Sequence, residues 1–300
     1  MTWREATREE LFTYYSAEFP EYIEDIPGFV MPTGPKEFGI AFREPYPVRE
    51  SGAPDRAFIR RQTWETDADG DPKRPVFPTW VDLEGFIQHP ARYDPLRRLP
   101  VGLADPDVLP NPEPYADAVY YSADHWDRPW ILFVDIDAKD VARNRARAKI
   151  SSDTYETEEE LFAITGVTDA EPEGFPYAFE DIEAAIKHGF TTRSIFEEEF
   201  CAEHTMVIYT GQGVHVYLLD TDADHRYDAK SREVLNDLLL EEFGIPIDPV
   251  VTADRRRMAR LPYSLHAGVC RIAQPIDTSG FDVRTQAQPR FLQHEHTHAH

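Results

Sequence analysis

The sequence predicts a mixed α/β (α+β) protein, and three observations carry that prediction. Short apolar runs with strand-like patterning are interspersed with stretches of helical period. Loops marked by Gly and Pro separate them, with 25 prolines and 15 glycines in 300 residues. An apolar content of 41% and an aromatic content of 12% are enough to bury a substantial core.

The elements follow in order. Thr7 and Glu10 have capping-box spacing ahead of Leu11, Phe12 and Tyr15, which predicts a helix over residues 8–19. "EFGIAF" and "RAFIRRQTW" read as strands, whereas the proline-rich residues 100–115 read as a connection. "PWILFVDID" predicts a strand, with a helix starting in "DVARNRARAKI" after it. The acidic residues 151–175 suit an exposed insertion, and "FEDIEAAIKHGF" and "TRSIFEEEFCAEH" suit helices. "TMVIYTGQGVHVYLLD" predicts two strands joined by a Gly-containing turn. "SREVLNDLLLEEFG" is amphipathic, with Val234, Leu235, Leu238, Leu239 and Phe243 on one face and Gly244 as its stop. "IPIDPVVT" then predicts a further short strand. No internal repeat is present, and the histidine-bearing end, residues 286–300, is expected to be a flexible tail.

Composition narrows the setting. No run of about 18 apolar residues exists, so no membrane span is expected. The charged N-terminal stretch lacks an apolar signal core, and Cys201 and Cys270 are too few for a disulfide framework; both point to the cytoplasm. The formal net charge is −24, and only six of the 31 basic residues are lysines. Such a surface, on a chain too aromatic for disorder, suggests a halophile, because concentrated salt screens its self-repulsion. An acidic balance by itself argues against nucleic-acid binding, which needs Lys and Arg at phosphates.

Three constellations carry chemistry. Asp135 and Asp137 fall one residue apart on a strand, hence on one face, about 7 Å apart. Carboxylates so placed repel unless a hard cation such as Mg²⁺ or Mn²⁺ sits between them. Aspartates that face solvent or cap the next helix would give the same spacing. Thr210, Gln212 and Gly213 form a turn that can present backbone N–H groups and a hydroxyl to phosphate, with His215 projecting beside it; an ordinary hairpin reads the same way. Asp248 offers a third carboxylate. Beyond it, Arg255, Arg256, Arg257, Arg260 and Arg271 form a basic island with no acidic residue from Arg255 through Ile276, suited to phosphate.

Taken in order, "DID", "TGQGVH" and "IDPVVT…RLPYSLH" resemble the archaeo-eukaryotic primase superfamily, specifically the catalytic small subunit of archaeal and eukaryotic DNA primase. "KEFGIAF", "FIRRQTW" and "AVYYS" resemble that family's N-terminal elements, so the resemblance covers roughly residues 10–280. It implies a catalytic sheet like an RNA-recognition-motif unit and β-rich N-terminal elements. It also implies one catalytic domain over residues 1–285, made of an N-terminal region (residues 1–115) and a metal-site core (residues 116–285). It implies Asp135, Asp137 and Asp248 as the ligands of two Mg²⁺ or Mn²⁺ ions. Thr210, Gln212, Gly213 and His215 fall on its nucleotide-phosphate motif, and Arg260 and His266 fall where it sets a basic residue and a histidine against the triphosphate. Lys36 and Arg60 are further candidates for that pocket, with Arg61 an alternative to Arg60.

Two departures stand out. The turn is shorter than the small subunit's usual form and lacks its arginines, as in related primase-polymerases. The interval where the family often carries a zinc knuckle offers only His188, Cys201 and His204, so no structural zinc is expected. The implied activity is template-dependent synthesis of RNA or DNA primers on single-stranded DNA from NTPs or dNTPs, with a primase large subunit as a partner. A stand-alone primase-polymerase of a plasmid, virus or repair pathway, and a non-catalytic nucleic-acid-binding paralogue, are the alternatives. A nuclease is disfavoured for want of a general base.

Overall fold

A computed structural model describes residues 4–30, 37–42, 58–62, 64–66, 72–75, 116–122, 132–149, 177–220, 227–254 and 257–295. In chain order these form α1 (Arg8–Thr13), β1 (Glu37–Phe42), β2 (Phe58–Gln62), β3 (Trp64–Thr66), β4 (Pro72–Pro75), β5 (Ala116–Ser122) and β6 (Leu132–Asp137). Then come α2 (Ala138–Lys149), α3 (Phe179–Glu198), β7 (Thr205–Tyr209), β8 (Gly213–Leu218), α4 (Ala229–Asp237) and α5 (Pro249–Ala253). The last are β9 (Met258–Arg260), β10 (Leu265–His266), β11 (Arg271–Ile272), β12 (Gln274–Ile276) and α6 (Arg290–Glu295). The protein is thus mixed α+β, as the patterning predicts. The connection 100–115, the acidic stretch 151–175, Lys36 and the terminal residues 296–300 lie outside the described residues. Among the described residues no helix is long and apolar enough to cross a membrane.

The chain divides into two compact units: Met1–Arg128 with Arg256–Gln274 and Ala287–His300, and Pro129–Arg255 with Pro275–Gln286. In the first, β2, β1, β5 and β9 form a four-stranded antiparallel sheet. The helix predicted over residues 8–19 starts as expected, with Thr7 Oγ1 accepting from Glu10 N–H and the Glu10 carboxylate accepting from Thr7 N–H. After Thr13 it widens into a π turn (Tyr14–Glu18) and then tightens into a 3₁₀ segment (Phe19–Asp25). Leu11, Tyr14, Tyr15 and Phe19 bury against this unit's core with Phe38, Ile40, Val119 and Tyr121. The Tyr14 hydroxyl donates to Tyr263 O at 2.6 Å. α6 and the buried Leu292 correct the expectation of a flexible tail over residues 286–300 for its described part: Arg290 pairs with Glu21 through two N–H groups and donates its backbone N–H to the buried Glu18.

In the second unit the sheet order is β12-β7-β8-β6, with β8 antiparallel to both neighbours. α3 is one continuous 20-residue helix where the sequence suggests two helical stretches. It crosses the sheet at Gly189, where an added Cβ would come within 2.6 Å of Val214 Cγ2, so the missing side chain sets the helix–sheet distance. α2 packs on α3, and Arg145 forks onto the fully buried Asp181, whose carboxylate also accepts from Ala178 N–H at the start of α3.

Two further elements depart from their predicted form. The amphipathic helix buries Leu235 and Leu239 but leaves Val234 59% and Phe243 40% exposed. Its apolar stripe is narrower than drawn, and the π turn Leu238–Glu242 shifts the phase before the chain ends the helix at Gly244, with φ +63°. The strand predicted over residues 245–252 is instead an extended lead into α5, and Asp248 is that helix's N-cap with Pro249 at its first position.

Candidate active site

The β6–β8 register builds the site. Val134 and Ile136 oppose Val216 and Val214, and these lie on the face that Gly189 of α3 approaches. The alternate residues, Phe133, Asp135 and Asp137, therefore take the other face, as period-2 alternation predicts. Asp135 is register-paired with His215 and Asp137 with Gly213. A Cβ on Gly213 would overlap the Ile136 carbonyl oxygen, so glycine is what lets β8 pair so closely with the end of β6.

Asp135 is buried, and its Oδ1 has no hydrogen-bond partner; His215 Nε2 is 3.4 Å away. His215 sits under Phe133, ring centroids 5.0 Å apart, and its Nδ1 meets the Tyr217 hydroxyl at 3.2 Å, in keeping with the shared face of His215 and Tyr217. Burial and the charge of Asp135 push the Asp137 carboxyl up to about 6, with Lys139 and His215 pulling the other way.

The turn is drawn tight. Thr210 N–H donates to Gly213 O, the Tyr209 hydroxyl donates to Gly211 O, and Gln212 O accepts from Ala138 N–H at the start of α2. Gly211 holds φ +107°, a backbone region that glycine alone enters freely. The Thr210 amide is thus committed to the turn itself. Asp248 reaches the site through its backbone, donating N–H to Asp135 O at 2.9 Å. Its Oδ1 accepts from Val250 and Val251 N–H, leaving Oδ2 outside the cap.

Three neighbours escaped the sequence reading. Lys139 Nζ lies 3.0 Å from Asp137 Oδ2. Burial lowers the ammonium's pKa, but Asp137, Asp140 and Asp135 more than offset it and hold it above its ordinary value. Asp140 is buried with Oδ2 unpartnered while Oδ1 binds Arg143 at 2.9 Å; burial and then Asp137 push it up to about 7, with Asp248 adding to the repulsion. The Tyr177 hydroxyl bonds the Gln212 side chain, and burial and Asp137 raise it to about 12. The "DAKD" run held the signal for the first two, since a helix beginning right after Asp137 keeps its first turn beside that carboxylate.

Among the described residues no three His, Cys, Asp or Glu side chains are gathered tightly enough to hold a metal ion as they stand. The donor chemistry nonetheless suits a hard divalent cation: two carboxylates on one strand face, one with a buried, unpartnered oxygen, the other neutralised by an ammonium.

Arg260 and His266 come together in the first unit. Arg260 is register-paired with Tyr120, stacks over its ring at 4.9 Å and donates to its hydroxyl at 3.1 Å. Arg260 Nη1 and His266 Nδ1 are both buried without a hydrogen-bond partner. Burial and then the Arg260 charge hold the His266 imidazole well below its ordinary pKa. Arg271, paired with His266 across β10–β11, turns its guanidinium to the Cys270 carbonyl. Arg60 lies in β2 opposite Gly39, its side chain outside the described residues.

The fold and site together define an α+β protein with a strand-end carboxylate pair, Asp135 buried and Asp137 half-buried. No protein-family model matches the chain. Over 89 residues, 29% of its length, the chain is 35% identical to a protein of Archaeoglobus fulgidus described as an uncharacterized DNA primase small subunit-like protein. The match spans 30% of that relative's own length. The comparison supports a primase-like relationship at that level.

Proposed function

We propose that this protein is a template-dependent nucleotidyltransferase of the primase kind, joining nucleotides on single-stranded DNA. The observation that carries the reading is the Asp135–Asp137 pair, held on one face of β6 and register-matched to His215 and the glycine turn. The distant primase-like relative supports it. In the reaction a 3′-hydroxyl attacks the α-phosphate of a nucleoside triphosphate, forming the new phosphodiester bond as the bond to pyrophosphate breaks.

Asp135 and Asp137 would hold the divalent ions, with Asp248 contributing through the oxygen its cap leaves over. Bound Mg²⁺ or Mn²⁺ supplies acidification of the hydroxyl and neutralisation of charge developing on phosphate. His215 would donate to a phosphate oxygen from beside Asp135, and the Thr210–Gly213 turn would border the same phosphates. Within the first unit, Arg260 and His266, each with a buried unpartnered nitrogen, fit an anion. A DNA template, NTPs or dNTPs, and a large-subunit partner belong to this reading.

De novo synthesis on single-stranded DNA with Mn²⁺ or Mg²⁺ in molar KCl tests it, with a primed template as a second arm. Asp135→Ala and Asp137→Ala should each lose at least about 100-fold in product. Undiminished synthesis by the double variant overturns the assignment of the pair. Wild type inactive in both arms points instead to a non-catalytic nucleic-acid-binding protein.

A further inference from the structure

The residue after next to Asp137 is a lysine, at a position where helix electrostatics disfavour one. Lys139 lies in the first turn of α2, where the positive end of the helix dipole repels a cation. Its ammonium is nonetheless held 3.0 Å from Asp137 Oδ2, with its side chain 25% exposed. Three carboxylates bear on it, those of Asp137, Asp140 and Asp135. The carboxylates, not the helix, decide where this side chain sits.

We propose that Lys139 is an internal substitute for the divalent ion, neutralising Asp137 in the ion-free protein and withdrawing when the ion arrives. The inference rests on the reading of Asp135 and Asp137 as cation ligands. An ion bound to Asp137 Oδ2 at about 2.1 Å and an ammonium at 3.0 Å from the same oxygen repel each other strongly. Only one of them keeps that position. The lysine can yield, since its four-carbon stem is flexible and a quarter of the side chain already meets solvent. Its ammonium offsets the repulsion between the buried Asp135 and the half-buried Asp137 carboxylates on the same strand face. The consequence is a site with lowered ion affinity and a higher stability when empty.

Mn²⁺ titration of the full chain by calorimetry, for wild type, Lys139→Met, Lys139→Arg and Asp137→Asn, tests the proposal. Lys139→Met should bind Mn²⁺ about tenfold more tightly than wild type and melt at a lower temperature in EDTA, while Lys139→Arg stays near wild type. Asp137→Asn should lose the binding, which fixes the site being read. Wild-type binding with no gain in Lys139→Met overturns the proposal alone. Absence of binding in wild type and both lysine variants overturns the cation-ligand reading and the proposal with it. A measurement on wild type needs no variant to fold: amine labelling of Lys139, followed by mass spectrometry, should speed up on adding Mn²⁺. Equal or slower labelling speaks against displacement.

Discussion

Asp135, Asp137 and His215 were legible because period-2 alternation depends only on a residue's place in a strand, and the strand held. Asp248 was legible as a carboxylate but not as a cap. The flanking "IPI" and "VV" read as a strand, although Asp followed by Pro is the chemistry of an N-cap and first helical position. Tyr177 was illegible, since its place beside Gln212 depends on how the chain enters α3. His266 carries the pH dependence that belongs at this scale. Its imidazole stays neutral in the fold, because burial and Arg260 oppose the proton, whereas the unfolded chain takes one up below about pH 6.5. Its contribution is therefore complete above about 6.5 and lost as the pH falls toward the depressed value, with a slope of about 1.4 kcal/mol per pH unit. Urea titrations of His266→Gln between pH 7 and 5 should show a flatter acid limb than wild type; an identical limb assigns the acid sensitivity to other groups.

Elements were legible where one signal dominated. The capping box at Thr7, the hairpin around "TGQG" and the strand "LFVDID" stand as the patterning predicts. The π turns after Thr13 and Asp237 were not, because no side-chain pattern announces the one-residue widening that each introduces. Gly189 shows what spacing at the element level requires. Gly189→Ala forces a Cβ against Val214 and should cost about 1–3 kcal/mol, with some of the loss recovered when Val214→Ala is added. Gly213→Ala should cost more, since its neighbour is backbone, and should also weaken Mn²⁺ binding by disturbing the end of β6. Denaturant midpoints of Gly189→Ala, Val214→Ala, their double variant and Gly213→Ala, with Mn²⁺ titration of the last, check both statements; additive effects of the Gly189 and Val214 changes would remove the proposed clash.

At the scale of the whole molecule the net charge of −24 dominates. Self-repulsion of that size favours expanded states in dilute buffer, and about 1 M salt shortens its reach to roughly 3 Å. Thermal unfolding should therefore shift upward by several degrees or more between 0.1 and 2 M KCl, and far less with sucrose at equal osmolality; equal shifts would mean that solvent exclusion, not screening, stabilises the fold. Which stretches form each compact unit was not readable from the chain, because Arg256–Gln274 joins the first unit across a long sequence separation while Pro275–Gln286 joins the second. The ladder that pairs Asp135 with His215 and Asp137 with Gly213 has one more result. A slip of a single residue between β6 and β8 would turn both carboxylates toward α3 together, and no such slip could spare one of them. The register therefore presents or hides both carboxylates at once, and only a substitution at a side chain itself can remove one of them alone.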